Sequence, residues 1–313
     1  MRIGIDIMGG DFAPKATTLG AILALNEVPS DCRIVLIGDE PMTKSILAEN
    51  GVDASLFDFI HADQVIEMGE HPTRALSQKP NSSLSIGFQM LKEGSIDAFA
   101  SAGNSGAMLV GSMFSVKTIP GMNRPAICSY LPKENGGFGV ILDVGANADC
   151  KPELLVQFAI LGSLVAEILF GIKNPKVGLL NIGEEAEKGN ILTQATYPLL
   201  KETASINFIG NIEGRDLFND KADVIVCDGF TGNIVLKLSE TFHDMTAGKG
   251  MDAPFFARLN YENYGGSPVL GVNAPVVVGH GISNDIAIKN LILLAKEMVS
   301  TNLTEKIKAA FKE

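Results

Sequence analysis

The fold is decided by the stretch Val177-Gly-Leu-Leu-Asn-Ile-Gly-Glu-Glu-Ala-Glu-Lys-Gly-Asn190, in which an apolar run gives way to glycines, carboxylates, one lysine and an amide. Residues 176–180 are typical of a buried strand, and residues 190–202 carry apolar side chains at helical spacing. Lys188 is therefore predicted at a strand-to-helix crossover. In open α/β sheets this edge binds ligands, and the free N–H groups at the start of the next helix favour anions. For this stretch alone, the alternative is a surface turn with solvated charges.

The same arrangement recurs at the ends of other predicted strands. One glycine turn is weak evidence, but several polar junctions at successive strand ends are what a shared active-site rim requires. The further junctions are Gly9-Gly-Asp11, Gly103-Asn-Ser-Gly106, Asp143-Val-Gly-Ala-Asn147 and Asp228-Gly-Phe-Thr-Gly-Asn233. The alternation of strands and helices predicts an α/β fold, a three-layer open sheet with helices on both faces. We expect a single domain over residues 1–313, with an excursion at about 245–266.

Composition and charge exclude several classes of protein. A chain of 313 residues, 46% hydrophobic and 19% charged, can bury a large core and is not disordered. Its formal net charge of -11 and pI near 4.9 argue against nucleic acid as a partner, because duplex binding needs clustered Lys and Arg. The four cysteines form no CxxC pair and the four histidines have no ligand spacing, which predicts free thiols in a reducing cytosol and no metal site. The glycine turns do not match GxGxxG, so no dinucleotide cofactor is expected.

Candidate site residues come from the polar junctions. Gly103 and Gly106 would leave backbone N–H groups open to an oxyanion, although a tight packing turn is the alternative. Arg124 lies in a proline-bounded loop and could bind phosphate through both guanidinium arms, with a surface salt bridge as its alternative. We predict that Lys188, Asn233 and Asn104 are catalytic and form the phosphate and oxyanion pocket. The predicted substrate-binding residues are Asp6, Gly9, Gly10, Lys15, Gly103, Ser105, Gly106, Arg124, Asp143, Asn147, Asn181, Asn190, Asp228 and Gly232.

One segment raises the question of a membrane span. Residues 154–172 carry only Gln157 and Glu167 as strongly polar side chains, and their length is close to the ~20 apolar residues that a spanning helix needs. Pro152 suits a helix start and Gly171 a helix end. We expect a buried core helix, because a glutamate within a single span would be costly.

Three further segments have simple predictions. Residues 71–81 are polar and proline-bounded, which predicts a loop. Residues 268–278 are strand-like. Residues 283–311 predict a long helix or a helix pair, N-capped by Ser283 or Asn284.

Motifs spread over nearly the whole chain resemble one family. They are Met8-Gly-Gly-Asp11, Ala13-Pro-Lys15, Ser101-Ala-Gly-Asn-Ser-Gly-Ala107, Leu142-Asp-Val-Gly-Ala-Asn147, Asn181-Ile-Gly-Glu184, Lys188-Gly-Asn190, Asp228-Gly-Phe-Thr-Gly-Asn233, Asn263-Tyr-Gly-Gly266 and Gly279-His-Gly281. Together they resemble PlsX, the bacterial phosphate acyltransferases. The resemblance implies transfer of a fatty acyl group from acyl carrier protein to inorganic phosphate, giving acyl phosphate for phospholipid synthesis.

The resemblance also carries expectations about partners and location. It implies a homodimeric, cytoplasmic enzyme without a cofactor, which visits the inner face of the membrane and supplies a downstream glycerol-3-phosphate acyltransferase. The implied fold is similar to that of isocitrate and isopropylmalate dehydrogenases and of phosphate acetyltransferase. Two features depart from the family's pattern. Phe12 stands where the family has histidine, and residues 246–254 are shorter than the family's helical hairpin.

The segment from Met245 to Tyr264 could contact a membrane. Its apolar and basic side chains include Lys249, Met251, Phe255, Phe256, Arg258, Tyr261 and Tyr264, which could rest in a headgroup layer. Burial of the aromatics against a dimer partner explains the composition equally well.

The implied chemistry agrees with the residue types at the junctions. Phosphate is already an anion near neutral pH, so catalysis requires positioning of the phosphate and stabilisation of the oxyanion, for which lysine and amides suffice. Three alternatives remain open: a short-chain phosphate acyltransferase that uses acyl coenzyme A, a nicotinamide dehydrogenase on a related fold, and a non-enzymatic lipid-binding protein.

Overall fold

The structure is a computed structural model that describes residues 1–246 and 254–312. Its strands are β1 (Arg2–Asp6), β2 (Arg33–Gly38), β3 (Asp58–His61), β4 (Ala98–Ser101), β5 (Ala126–Pro132), β6 (Phe138–Leu142), β7 (Lys176–Leu180), β8 (Asn207–Ile212), β9 (Val224–Val226), β10 (Ser267–Leu270) and β11 (Val276–Val278). Its α-helices are α1 (Lys15–Leu25), α2 (Glu40–Glu49), α3 (Pro72–Gln78), α4 (Ser83–Glu93), α5 (Ser105–Gly111), α6 (Pro152–Phe170), α7 (Ile191–Glu202), α8 (Gly229–Thr246), α9 (Pro254–Ala257), α10 (Asp285–Ser300) and α11 (Leu303–Ala310). The predicted α/β fold with helices on both faces of the sheet is confirmed.

Many of the helices begin at a short polar side chain that accepts a hydrogen bond from a backbone N–H of the first turn. These N–H groups have no carbonyl partner within the helix. The side chains of Asp39, Ser82, Asn104, Asn190 and Asn284 each accept an N–H group from the first turn of the helix that follows. Such caps satisfy N–H groups that have no partner within the helix. The cap of α10 is therefore Asn284, one of the two residues predicted for this role.

The chain divides into two compact units, of which the first comprises residues 1–119 and 261–304. Its strands have the order β3-β2-β1-β4-β11-β10. All neighbouring pairs are parallel except β10 with β11. The carboxyl ends of β1, β4 and β11 therefore lie at one edge of this sheet, where the loops rich in glycine begin.

The second unit comprises residues 120–260 and 305–313. Its strands have the order β5-β6-β9-β7-β8, and all pairs are parallel except β5 with β6. The loops that follow β6, β9 and β7 thus emerge at the same edge, and the loop that precedes β5 joins them there. The prediction of a single domain over the whole chain stays a prediction, because one domain can contain two compact units.

Among the described residues one helix, α6, is long and apolar enough to cross a membrane. Half of its most apolar stretch is buried in the protein. The buried side chains include Leu155, Phe158 and Leu161, and the helix packs against β6, β9 and α7 of its own unit. This is the packing expected of a core helix.

Two local predictions differ from the structure. The loop predicted over residues 71–81 contains α3, which begins at Pro72. Proline is compatible with the first turn of a helix, where its missing N–H group would have had no partner. The strand-like run 268–278 is divided into β10 and β11, which pair antiparallel around Gly271 at φ 82°.

An ion pair lies inside the second unit at the β5–β6 hairpin. Lys133 is only 4% exposed, and its Nζ lies 2.5 Å from Oδ1 of Asp223. The other carboxylate oxygen of Asp223 accepts the backbone N–H of Lys176 at 2.8 Å. Arg258 binds the same hairpin by donating to the carbonyl oxygens of Lys133 and Gly137 at 2.9 and 2.5 Å. The hairpin is therefore held by charged groups as well as by apolar packing.

Candidate active site

In the first unit, a buried carboxylate holds together the loops that follow β1 and β4. Asp6 is 1% exposed and accepts the hydroxyl of Ser101 at 2.6 Å and the N–H of Met8 at 3.0 Å. The same Ser101 oxygen accepts the N–H of Gly103 at 2.9 Å. Burial raises the pKa of Asp6, against the opposing effect of these hydrogen bonds. Asp6 thus fixes two loops from within, and Ser101 is a site residue that the sequence analysis did not single out.

Glycine is required where these two loops meet. A Cβ atom on Gly9 would lie 2.7 Å from the backbone nitrogen of Gly103 and 2.5 Å from the Asp6 carboxylate. The loops can approach this closely only without a side chain. Their predicted residues Gly9, Gly10, Gly103 and Ser105 are therefore brought together at the edge of the first sheet.

Asn104 has an architectural role in this unit. Its Oδ1 accepts the N–H of Ala107 at 2.9 Å as the cap of α5. Its Nδ2 donates to the carbonyl oxygens of Glu67, Met68 and Glu70 at 3.1, 3.1 and 2.9 Å. The amide N–H groups that the sequence analysis assigned to an oxyanion thus hold the 67–70 loop against α5. A catalytic role for Asn104 stays a prediction. The N–H of Gly103, which the sequence predicts to be open to an oxyanion, instead donates to Oγ of Ser101 at 2.9 Å, and the exposed Ser105 hydroxyl is a donor that this loop presents.

In the second unit, Asp143 organises the loop after β6 in the same way. Asp143 is completely buried and accepts the N–H groups of Ile127, Ala146 and Asn147 at 3.0, 3.1 and 2.6 Å. Asn147 in turn donates from Nδ2 to the carboxylate at 3.0 Å and to the carbonyl of Pro125 at 2.8 Å. Burial raises the pKa of Asp143. This network connects the loop after β6 to the loop before β5, in which the side chain of Arg124 is exposed.

The start of α8 packs directly on this loop. Nδ2 of Asn233 donates to the carbonyl of Val144 at 3.2 Å, and Asp228 accepts both the N–H and the hydroxyl of Thr231 at 2.8 and 2.9 Å. A Cβ atom on Gly232 would lie 1.9 Å from the carbonyl oxygen of Asp143. The predicted residues Asp143, Asp228, Gly232 and Asn233 therefore form one cluster.

Gly232→Ala is expected to destabilise the protein by about 1–3 kcal/mol or more, because the added methyl would force the backbone of α8 away from the loop after β6. Urea unfolding of the variant measures this loss. Gly214→Ala is the matched control, since a Cβ atom there would meet nothing within 4 Å. Equal midpoints for the two variants would contradict the close packing described for Gly232.

Lys188 is presented by a loop that is ordered by amides. Nδ2 of Asn181 donates to the carbonyl of Lys188 at 3.1 Å, Asn190 caps α7 through the N–H of Thr193 at 2.9 Å, and Nδ2 of Asn211 donates to the carbonyl of Glu185 at 2.8 Å. The Lys188 side chain is exposed and forms no ion pair with any residue in 1–246 or 254–312. Its charge is therefore available to an anion at the N-terminus of α7.

Three carboxylates near the Lys188 loop bind other cations. Glu184, Glu213 and Asp216 lie close enough together to share a cation, and they are the one such group among the described residues. Lys221 contacts Glu184 and Asp216 at 2.6 and 2.9 Å, and Arg215 binds Glu213. These contacts make the cluster an ion-pair network beside the Lys188 loop.

The cysteine at this edge is not activated. The thiol of Cys150 donates to the carbonyl of Asn147 at 3.5 Å, and burial together with the Asp143 carboxylate raises the pKa of this thiol to about 11. The thiol therefore stays protonated at neutral pH and is a poor nucleophile. All four cysteines are free, as predicted.

The predicted site residues thus divide between the two units. Lys188, Asn181 and Asn190 share the edge of the second sheet with Asn233 and Asp143, because β7, β9 and β6 are parallel neighbours. Arg124, Asn147, Asp228 and Gly232 lie at this edge as well. Asp6, Gly9, Gly10, Lys15, Gly103, Asn104, Ser105 and Gly106 lie at the equivalent edge of the first sheet. The edge of the second sheet carries two exposed cations, Arg124 and Lys188, and the edge of the first sheet carries one, Lys15.

Comparison with known proteins gives the chemistry of this site. The sequence matches the family described as "Fatty acid synthesis protein" over residues 1–248 and 251–306. A phosphate acyltransferase from Pelotomaculum thermopropionicum is 44% identical over 99% of this chain and 95% of its own. The chain belongs to the PlsX phosphate acyltransferase family. A second member, from Brevibacillus brevis, is 41% identical over 100% of this chain and 98% of its own.

Solved structures show the same fold at low sequence identity. A phosphotransacetylase from Streptococcus pyogenes has a TM-score of 0.69 and 17% identity, covering 96% of this chain and 94% of its own. A branched-chain phosphotransacylase from Enterococcus faecalis has a TM-score of 0.64 and 14% identity, covering 96% and 99%. These structures show the fold alone. Membership of the family makes the chain a phosphate acyltransferase, an enzyme that needs phosphate and an acyl donor as substrates.

Proposed function

We propose that this enzyme transfers a fatty acyl group from acyl carrier protein to inorganic phosphate, giving acyl phosphate and free carrier protein for phospholipid synthesis. The observation that carries the proposal is the position of Lys188, an exposed ammonium without an ion-pair partner among the described residues, at the start of α7. Such a group neutralises a phosphate dianion, and the N–H groups of the helix N-terminus add hydrogen bonds. The family's description as a fatty acid synthesis protein supports a fatty acyl substrate.

The reaction needs little proton transfer from the protein. A phosphate oxygen attacks the thioester carbonyl, the carbon–sulfur bond breaks, and the carrier leaves as a thiolate that takes a proton from solvent. Lys188 holds the phosphate against the carbonyl. Asn233 uses one amide N–H for the carbonyl of Val144, so the second is available to the oxyanion that develops on the thioester. The buried Asp6 and Asp143 carboxylates keep the surrounding loops in place.

Hydroxylamine trapping tests this function. With palmitoyl carrier protein, we expect phosphate to raise the enzyme-dependent formation of acyl hydroxamate above the direct reaction of hydroxylamine with the thioester, which a control without enzyme measures. With acetyl coenzyme A we expect slower formation, because short-chain transfer from coenzyme A is the competing function. Faster reaction with acetyl coenzyme A would reject the carrier-dependent proposal, and the absence of acyl phosphate from every donor would favour a lipid-binding protein.

A homodimer is part of the proposal, and an exposed stripe on α8 supports it. Phe230, Ile234, Leu238 and Met245 are 63%, 52%, 53% and 54% exposed. The first three follow one another at four-residue spacing, so they lie along one face of the helix. An apolar face of this length typically marks an interface. We place a second copy of the chain on it.

The proposed location is the cytoplasm, with transient contact at the inner face of the membrane, where acyl phosphate would pass to a glycerol-3-phosphate acyltransferase. Phe255 packs edge-to-face with Phe218 at 5.6 Å, and the hydroxyl of Tyr261 donates to the carbonyl of Ile282 at 3.0 Å. These contacts engage part of the aromatic segment in the protein itself. Lys249 and Met251 lie outside the described residues.

Changing Ile234 and Leu238 together to lysine is expected to shift the protein from dimer to monomer in size-exclusion chromatography with light scattering. Two buried cations would oppose association across an apolar interface. Met42→Lys, which changes another exposed apolar helix residue, should leave the dimer intact. Liposome co-sedimentation of the same variants distinguishes a dimer interface from a membrane-binding surface. An intact dimer that no longer binds liposomes would assign the stripe to the membrane.

A further inference from the structure

A groove with a volume of about 360 Å³ lies in the first unit beside the start of α1. This volume lies within the range of small-molecule sites, roughly 300–1,000 Å³. It is lined by Phe12, Ala13, Lys15, Ala16, Leu19, Asn284 and Asp285. The site described above does not use this groove, apart from the predicted role of Lys15.

The walls of the groove are mainly apolar. Phe12 is 55% exposed, which is unusual for a large aromatic side chain, and Ala16 and Leu19 continue its surface along one face of α1. An apolar surface in a concave site is the usual recognition element for a hydrocarbon ligand.

The polar lining shows which part of a ligand fits. Lys15 and Asp285 carry opposite charges, and neither forms an ion pair with a residue that the structure describes. The Asp285 carboxylate would repel a phosphate or carboxylate headgroup, while the lysine alone would attract one. The amide of Asn284 is already used, because Nδ2 donates to Glu262 at 2.8 Å and Oδ1 caps α10. The groove is therefore suited to an uncharged apolar chain rather than to an anionic head.

The groove begins where the glycine loop after β1 ends. Phe12 and Ala13 directly follow Gly9-Gly-Asp11. The backbone N–H of Asp11 donates to the carbonyl of Gly281 at 2.8 Å, so this loop is tied to the one after β11. The groove therefore continues from the edge of the first sheet that carries the predicted residues Gly9 and Gly10.

We propose that this groove binds the hydrocarbon chain of the acyl group, which would lie along α1 between Phe12 and Leu19. This proposal rests on the proposed acyl transfer. It adds that the groove determines which lengths of acyl chain the enzyme prefers. Phe12 forms one wall, and α1 forms the floor.

Replacing Phe12 with serine tests the assignment through chain-length preference. The ratio of kcat/KM for a hexadecanoyl donor to that for a butanoyl donor on the same carrier is expected to fall about tenfold, the effect of losing one apolar contact surface in a hydrophobic pocket. Phe114→Ser is the matched control, because Phe114 is 71% exposed in the same unit and does not line the groove. This control should keep the wild-type ratio.

Photocrosslinking gives a second readout that does not depend on turnover. A hexadecanoyl phosphonate with a diazirine at the chain end, added to the wild-type protein, is expected to label the peptide that contains residues 12–19. Labelling confined to other peptides, together with an unchanged ratio for Phe12→Ser, would overturn the groove assignment while acyl phosphate formation by the wild type still supported the proposed function. Labelling of residues 12–19 in a protein that forms no acyl phosphate would instead retain the groove and reject the transferase reaction.

Discussion

Lys188→Ala is expected to lower kcat/KM for acyl phosphate formation by about a hundredfold or more, equivalent to ~2.7–4 kcal/mol of transition-state stabilisation. The ammonium of Lys188 lies at the N-terminus of α7, at the edge of the second unit's sheet. Its removal leaves the phosphate dianion without a counter-ion at this helix. Initial rates of hydroxamate formation at saturating and limiting phosphate measure the loss. Because Lys188 binds phosphate in the ground state, KM for phosphate should rise, and because the same charge positions the phosphate for attack in the transition state, kcat should fall as well.

The folded state should not change in this variant. Lys188 is exposed, and the hydrogen bonds that order its loop involve its backbone carbonyl and N–H groups. Lys201→Ala removes an exposed lysine from the other end of α7 and should retain full activity. A folded Lys188→Ala protein with wild-type rates would reject the assignment of this lysine to phosphate.

Lys133→Met is expected to destabilise the protein by about 3–5 kcal/mol, the cost of leaving a buried charge without its partner. The Asp223 carboxylate, side chain 11% exposed, would keep only the backbone N–H of Lys176 as a donor. Urea unfolding followed by circular dichroism measures the change in the free energy of unfolding.

Lys44→Met is the control for this second variant. Lys44 and Glu40 form an ion pair at 2.6 Å, but their side chains are 49% and 32% exposed, so the pair contributes at most ~1 kcal/mol. A loss for Lys133→Met no larger than that for Lys44→Met would show that the buried pair is not important for stability.

Much of the fold follows from local sequence. Apolar periodicity located α6 and α7, and the strand at 176–180 has the predicted bounds. The structure differs from the predicted helices and loops in two segments that contain glycine or proline, residues that are usually found at the ends of helices. The apolar spacing after Asn233 predicts a helix from Ile234 to about Asp244, yet α8 begins at Gly229 because its glycines let it pack on the loop after β6. The loop predicted at 71–81 is wrong because proline is compatible with the first turn of a helix as well as with a loop.

The sequence also located the strand ends that carry polar residues, but it could not assign their roles. Asp6, Asp143 and Asn104 resemble ligand-binding residues in sequence, since each lies at or just after the end of an apolar strand and within three residues of a glycine. Their burial, and the backbone groups they bind, depend on segments distant in the chain, as with the contact of Asn104 to the 67–70 loop. Lys188 differs from these residues because its side chain is exposed and forms no ion pair with a described residue. Its charge is therefore available to a ligand.

The order of strands in the first unit has a consequence for synthesis on the ribosome. β4 emerges early, but its neighbour β11 is made only after the strands β5 to β9 of the second unit. Until Val276–Val278 has left the exit tunnel, the β4 edge has unpaired N–H and C=O groups, and α1 lacks the covering helix α10. Exposed edges of this kind promote association between nascent chains. The second unit has all of its strands in one continuous stretch and can complete its sheet first, so a ribosome-bound chain would carry the complete sheet of the second unit while the sheet of the first is still open.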